Sequence, residues 1–209
     1  MKTLQHLRMA LLLVLVSLTQ LAFAQSTTSP DTVCAGATGK SYSVDGLAGS
    51  TFQWIITNGT KTSGGTSDSI TINWSATPGI DILKVVEINI LGCPMDTVSL
   101  AVLRLAPPTV VLSGTDSICV NAATVLGKLK FTFTGVAPWL VNYTENGTAR
   151  SVTTSSSTYN FNSQVYTSSG VKAYAVTSLS DRLGCTGTFS GNANVTVIPK
   201  TGTSAIRHY

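Results

Sequence analysis

The residues of this chain best equipped for chemistry are its four cysteines, Cys34, Cys93, Cys119 and Cys185. Two of them stand in the same tripeptide, Leu91-Gly92-Cys93 and Leu183-Gly184-Cys185, each after an apolar alternating run. The other two close similar tetrapeptides, Asp31-Thr32-Val33-Cys34 and Asp116-Ser117-Ile118-Cys119. A thiol can act as a nucleophile, a metal ligand or half of a disulfide. A zinc site wants closely spaced cysteine pairs or histidines, and beyond Ala24 the sole histidine is His208. Thiol–disulfide exchange wants Cys-x-x-Cys, which this sequence lacks. The expected role is a fold staple.

Other catalytic constellations find no support. Serines are plentiful, but no histidine lies in the body of the chain to activate one. Glycoside hydrolysis needs two facing carboxylates, and nothing in the spacing of the acidic residues marks a pair. A calcium loop of the D-x-D-x-D-G kind is missing. The expectation is a protein that is not an enzyme and uses no cofactor and no metal.

The elements that must position the cysteines follow from the rest of the sequence. Residues 1–24 read as a signal peptide, with Lys2, His6 and Arg8 ahead of the apolar stretch Leu11 to Leu21 and small residues at Ala22-Phe23-Ala24. No membrane span is expected after cleavage. The export signal sends the cysteines to an oxidising compartment, at the cell surface or outside the cell, alternatively in the periplasm. Lys2 and Arg8 fall in that leader, so the formal net charge of +4 drops to about +2 beyond it. That is too little, and too scattered, for nucleic-acid binding. Charged residues make up only 11 % of the chain, and threonine, serine, glycine and asparagine supply the polarity instead.

An internal repeat organises the remainder. Each copy opens on aspartate, a hydroxyl residue, a β-branched residue and cysteine, runs through aromatic strands to Leu-Gly-Cys, and closes on a β-branched strand. The second copy has a longer stretch before its Leu-Gly-Cys, containing Ser180-Asp181-Arg182. The closing strands are Thr97–Leu103 and Ala193–Ile198. Ala106-Pro107-Pro108 reads as the joint, since proline denies amide donors to a sheet and stiffens the link. The expected organisation is a short segment at 25–30, a first domain at 31–105, linker and domain entry at 106–115, a second domain at 116–199 and a tail at 200–209.

The strand signals have period two. Phe52, Trp54 and Ile56 alternate with Gln53, Ile55 and Thr57 before an Asn58-Gly59 turn. Ile70, Ile72 and Trp74 share a face. Ile82, Lys84, Val86, Ile88 and Ile90 read as one face of the longest strand, with Lys84 near an end or edge. In the second copy Leu129, Phe131 and Phe133 align, as do Trp139, Val141 and Tyr143, then Tyr159 with Phe161, and Tyr174 with Val176. Short strands bounded by glycine, serine or proline indicate an all-β protein of two tandem immunoglobulin-like β-sandwich domains.

Four cysteines allow three complete pairings, and sequence alone does not choose. The repeat favours the economical one, Cys34–Cys93 and Cys119–Cys185, with one intradomain disulfide in each sandwich. In this arrangement the first strand starts at the end where the last hairpin loop lies. Each bond would close a loop of about 60 residues and contribute about 3–4 kcal/mol in the chain-entropy account. Gly92 and Gly184 would serve turns that need positive φ, and the leucines would cap the core.

Candidate contacts for a partner are few. Trp54, Trp74, Trp139 and Tyr143 are the bulky aromatics, able to stack on sugars or dock a protein if exposed. The alternation argues for core positions, with Trp139 the strongest candidate for exposure because it follows Ala137-Pro138 at a strand start. Asp181 and Arg182 stand in the longer loop of the second copy. Ile206 and Tyr209 could anchor the tail as an added strand. Protein partners, and alternatively glycans held by exposed aromatics, are the expected ligands.

The chain resembles the PKD-like and immunoglobulin-like repeats of secreted surface proteins of the Bacteroidetes, of the kind associated with gliding motility and type IX secretion. The likeness rests on Ser117-Ile118-Cys119, Thr134-Gly135-Val136-Ala137-Pro138-Trp139, Val141-Asn142-Tyr143-Thr144-Glu145-Asn146-Gly147 and Ser178 to Gly187 in the second copy. Val33-Cys34-Ala35-Gly36, Phe52-Gln53-Trp54, Ile72-Asn73-Trp74 and Leu91-Gly92-Cys93 carry it in the first. The resemblance implies a spacer, assembly module or adhesive surface. It also implies Asp-[Ser/Thr]-aliphatic O-glycan acceptors, such as Asp68-Ser69-Ile70 and Asp96-Thr97-Val98.

Overall fold

The structure, a computed structural model, describes residues 29–202 together with Ala205 and His208. The expected signal peptide, and the anchors Ile206 and Tyr209, lie outside the described residues. The described chain is all-β and holds sixteen strands. It divides into two compact units. One takes Gly39–Asn73 and Ile80–Val102; the other takes Thr32–Thr38, Trp74–Gly79 and the described residues from Leu103 onward.

The first repeat has seven strands: β1 (Asp31–Cys34), β2 (Lys40–Ser43), β3 (Thr51–Ile55), β4 (Gly59–Ser63), β5 (Ser69–Trp74), β6 (Gly79–Ile88) and β7 (Pro94–Leu105). They form a four-stranded sheet in the order β1-β7-β6-β3 and a three-stranded sheet in the order β2-β5-β4. That is the strand plan of an immunoglobulin-like sandwich. Phe52, Ile70, Ile72, Leu83 and Val85 are buried. Asn58 adopts a φ of 52° at the expected turn before β4.

β6, expected to be the longest strand and shorter than β7 in the structure, is inverted relative to expectation. Asp81, Leu83 and Val85 of β6 face inward, while Ile80, Ile82 and Lys84 are exposed. The inward carboxylate is tolerable because the Asn58 side-chain amide donates to Asp81 Oδ1 at 2.7 Å, so its burial does not leave it without a hydrogen-bond donor. Apolar residues on both faces of β6 leave alternation unable to choose the core side.

The second repeat contributes β8 (Thr109–Ser113), β9 (Thr115–Cys119), β10 (Leu129–Thr134), β11 (Trp139–Glu145), β12 (Thr148–Thr154), β13 (Thr158–Phe161), β14 (Gly170–Asp181), β15 (Thr188–Ser190) and β16 (Ala193–Ile198). One sheet has the order β13-β10-β8-β15 and the other β12-β11-β14-β16-β9. β9 runs parallel to β16, with Cys119 opposite Ile198, and β15 parallel to β8.

The core of this unit is aromatic. Phe131 stacks on Phe161 with centroids 4.8 Å apart and meets Tyr143 edge-on at 5.2 Å. Trp139 stacks on Phe133 at 5.2 Å, and its indole N–H donates to the Thr134 carbonyl. Around them Leu112, Leu129, Val141, Leu179, Val195 and Val197 are fully buried.

Candidate functional site

The cysteines sit on two kinds of local structure, each built twice. The first is a turn at the end of the opening strand. In Cys34-Ala35-Gly36-Ala37 the Ala37 N–H donates to the Cys34 carbonyl at 3.0 Å; in Cys119-Val120-Asn121-Ala122 the Ala122 N–H donates to the Cys119 carbonyl at 3.1 Å. The third residue takes positive φ in both, Gly36 at 81° and Asn121 at 67°. The residue after each cysteine donates to the last residue of the closing strand: Ala35 to Leu105 at 2.8 Å, Val120 to Ile198 at 3.0 Å.

The second kind is the Leu-Gly-Cys loop. Asn89-Ile90-Leu91-Gly92-Cys93 and Asp181-Arg182-Leu183-Gly184-Cys185 fold alike. Asn89 Oδ1 accepts the Leu91 and Cys93 amides, each at 3.0 Å. Asp181 Oδ1 accepts the Leu183 and Cys185 amides, each at 2.9 Å. The glycine amide donates to the first residue's carbonyl in both, and Gly92 and Gly184 have φ of 81° and 77°. An Asn or Asp side chain that caps nearby amides is what fixes such a loop, and glycine occupies left-handed φ without strain.

This geometry overturns the expected pairing. The sole disulfide among the described residues joins Cys34 to Cys185, with Cα atoms 5.6 Å apart, and both residues fall in the second compact unit. Cys93 and Cys119 are free and exposed. The sandwiches therefore do not each carry an intradomain bond; the bond joins the opening turn of the first repeat to the loop of the second. The physical reason is the direction of the opening strand. Cys34 is carried to the exit end of β7, beside Leu105, while Cys93 immediately precedes its entry at Pro94. Twelve extended residues separate these ends by about 35 Å, against the roughly 7 Å limit on Cα separation for a disulfide. Cys119 likewise lies opposite the final residue of β16, while Cys185 lies in the chain that enters that strand.

The other sequence candidates are scattered. Trp139 is 4 % exposed and belongs to the core, so it presents no surface. Trp74 is equally buried, and Trp54 is half-buried with its indole N–H on the Ser67 carbonyl. Tyr143 is half-buried beside an open hollow of about 310 Å³ that Asn142, Arg150 and Ser151 also line. Asp181 is buried and spent on its loop, with Oδ2 lacking a hydrogen-bond partner. Arg182 is exposed. Of the loop leucines, Leu183 is half-buried and Leu91 is 83 % exposed, so only the second caps anything.

Sequence reading missed two features. Glu145, which stands just before Asn146-Gly147, is buried and accepts from the Tyr174 hydroxyl at 2.8 Å, the Tyr166 hydroxyl at 3.3 Å and the Gln164 amide at 2.7 Å. Its other oxygen accepts from Arg150 Nε at 3.1 Å. Burial pushes the Tyr174 and Tyr166 phenols above their ordinary range. The second is an outward apolar strip: Ile55 of β3 with Ile80 and Ile82 of β6, beside Lys84, around a hollow of about 420 Å³. The apolar pattern of both β6 faces held the signal for it.

Among the described residues no group of three His, Cys, Asp or Glu side chains could hold a metal ion, and no helix is long and apolar enough to cross a membrane. The buried carboxylates of Asp81, Glu145 and Asp181 are engaged in structural hydrogen bonds within a β-sandwich architecture.

Comparison with known proteins finds one family match and several distant structural likenesses. Residues 20–102, which hold all but the last three residues of the first repeat, match the PKD-like domain family. No curated protein matches the chain in sequence. A three-immunoglobulin-domain fragment of titin, a Glu-to-Ala variant, is 16 % identical over 82 % of this chain and 63 % of the fragment, with a TM-score of 0.48. The chain thus spans less than two thirds of that fragment. The fibronectin(III)-like modules of Clostridium thermocellum CbhA are 16 % identical over 88 % of this chain and 98 % of theirs, TM-score 0.37. The D00-D0 domain of intimin is 12 % identical over 82 % and 96 %, TM-score 0.38.

Proposed function

We propose that the chain is an exported, non-enzymatic structural subunit that works by binding other proteins in a cell-surface or envelope assembly, of the kind used in adhesion, motility or secretion. The observation that carries this reading is the outward strip of Ile55, Ile80 and Ile82, with Ile80 71 % exposed. An exposed apolar patch rimmed by polar residues is the usual mark of a protein contact. The disulfide Cys34–Cys185 supports export, since such bonds persist in oxidising compartments. The resemblance to repeats of surface proteins favours the same setting.

The test is gentle extraction of the full chain from its own envelope. It is expected together with other proteins in a complex well above monomer mass, and an I80E/I82E variant is expected to lose those proteins with an unchanged far-UV spectrum. Recovery of the unaltered chain as a monomer would refute the reading. The glycan alternative retains one specific support, Tyr143 with Asn142 and Arg150 at the rim of an open hollow. Glycan-array binding lost on Tyr143→Ala would favour it.

A further inference from the structure

The disulfide of this chain pairs one opening turn with one Leu-Gly-Cys loop, and the structure contains one further member of each. The bonded pair is the turn of the first repeat with the loop of the second. Left over are the loop of the first repeat, with Cys93, and the turn of the second, with Cys119. They are not random thiols. Cys93 is held by the same Asx-capped loop as Cys185, and Cys119 by the same turn as Cys34.

A second observation concerns the side chains around the thiols. The two loops share a backbone but differ in cover. In the bonded loop Cys185 is 1 % exposed and Leu183 is half-buried. In the unbonded loop Cys93, Leu91 and Ile90 are all open to solvent. The free turn shows the matching deficit. Cys119 is exposed where Cys34 is partly covered, and Val165 stands exposed next to Tyr166, whose carbonyl accepts the Asn121 amide of that turn. Each free cysteine is thus more exposed than its bonded counterpart, and an open apolar side chain, Leu91 or Val165, stands near it.

We propose that Cys119 of one copy and Cys93 of a second copy form an intermolecular disulfide that reproduces the Cys34–Cys185 linkage, joining copies head to tail. This rests on the reading of the chain as an exported assembly subunit and names its partner as another copy of itself. The contact is heterologous, so each addition leaves a fresh turn at one end and a fresh loop at the other, and the product grows as an open series unless it closes into a ring. Chemically, the two thiols lose two protons and two electrons as the S–S bond forms. A disulfide-bonded donor, such as an oxidised thiol–disulfide oxidoreductase or oxidised glutathione, accepts them and becomes its dithiol or two thiols.

The experiment uses the full chain, purified reduced and incubated with oxidised glutathione. A ladder of covalent multimers is expected on a non-reducing gel, collapsing to monomer with reductant. In a mixture of unlabelled and nitrogen-15 copies, a Cys93–Cys119 crosslinked peptide of mixed isotope is expected. C93S alone and C119S alone are expected to stay monomeric, and the two mixed are expected to yield a dimer and nothing larger. Dimers from either variant alone would show indiscriminate thiol pairing and overturn the proposal. So would a Cys93–Cys119 peptide of single isotope, which places the bond within one copy. Native protein in which Cys34–Cys185 is formed while Cys93 and Cys119 remain thiols would sink this proposal alone. Native protein with all four thiols reduced would sink the export reading itself.

Discussion

Removing the Cys34–Cys185 bond tests the topology most directly. Its sequence separation is 151 residues, and loop closure on that scale removes about 5 kcal/mol of denatured-state entropy at 25 °C. Length enters as a logarithm, so the figure changes by less than about 1 kcal/mol if the first compact unit stays folded while the second opens. A C34A/C185A variant is therefore expected to lose about 3–5 kcal/mol in the second unit, the lower figure allowing for structure retained in the denatured chain. The assay is urea unfolding followed by the fluorescence of Trp74 and Trp139, both buried in that unit, in a W54F background. With a slope of about 1.5 kcal/mol per molar, the midpoint should fall by about 2–3 M urea. If the alanines leave the second unit unfolded even without urea, stepwise reduction of the unaltered chain supplies the same difference. C93A/C119A is the contrast, and its monomer should unfold at the unaltered midpoint. The reasoning fails if C34A/C185A leaves the midpoint in place, or if C93A/C119A lowers it as far.

Three further outcomes follow from the second repeat. Asp181→Ala removes the acceptor of two loop amides and should cost about 2 kcal/mol, whereas Asp181→Asn keeps Oδ1, relieves the partnerless Oδ2 and should be at least as stable as the unaltered chain; urea midpoints decide. Phe131→Ala should cost about 3–5 kcal/mol because the ring is fully buried between Phe161 and Tyr143, measured by thermal and urea unfolding. The raised phenol pKa values of Tyr166 and Tyr174 mean that the folded unit keeps protons the unfolded chain releases above about pH 10. Stability should be undiminished by these groups below that pH and fall above it, by up to about 1.4 kcal/mol per pH unit per tyrosine, and Y166F/Y174F should flatten the decline in urea midpoint.

Much of the fold was legible because alternation has a period that side chains cannot disguise. Leu129, Phe131 and Phe133 face inward as their spacing implies, and the paired Leu-Gly-Cys segments fold as one loop type. Even the loop's cap was in view, since Asn89 and Asp181 each stand four residues before their cysteine. The facing of β6 was not legible because its two faces are nearly equal in apolar content, and the Asn58 side chain that receives the inward carboxylate of Asp81 stands 23 residues earlier. Glu145 escaped for a related reason. A glutamate before Asn-Gly reads as solvated, and the tyrosines and amide that bury it come from residues 164, 166 and 174.

The cysteine pairing failed at a different level. Alternation records which face a side chain takes and is blind to the direction of the neighbouring strand, because parallel and antiparallel partners show the same period of two. In the second repeat the opening strand β9 runs parallel to the closing strand β16. That one fact carries the opening cysteine away from the entry loop, and the Ala35–Leu105 hydrogen bond places Cys34 at the corresponding exit end of the first repeat. A repeat of this design cannot close its own staple. Its opening turn is stapled instead by the entry loop of the repeat that follows, through Cys34 and Cys185. Two repeats supply two turns and two loops but only one such succession. One loop and one turn are then left without a partner of this kind, and they are the ones that carry Cys93 and Cys119.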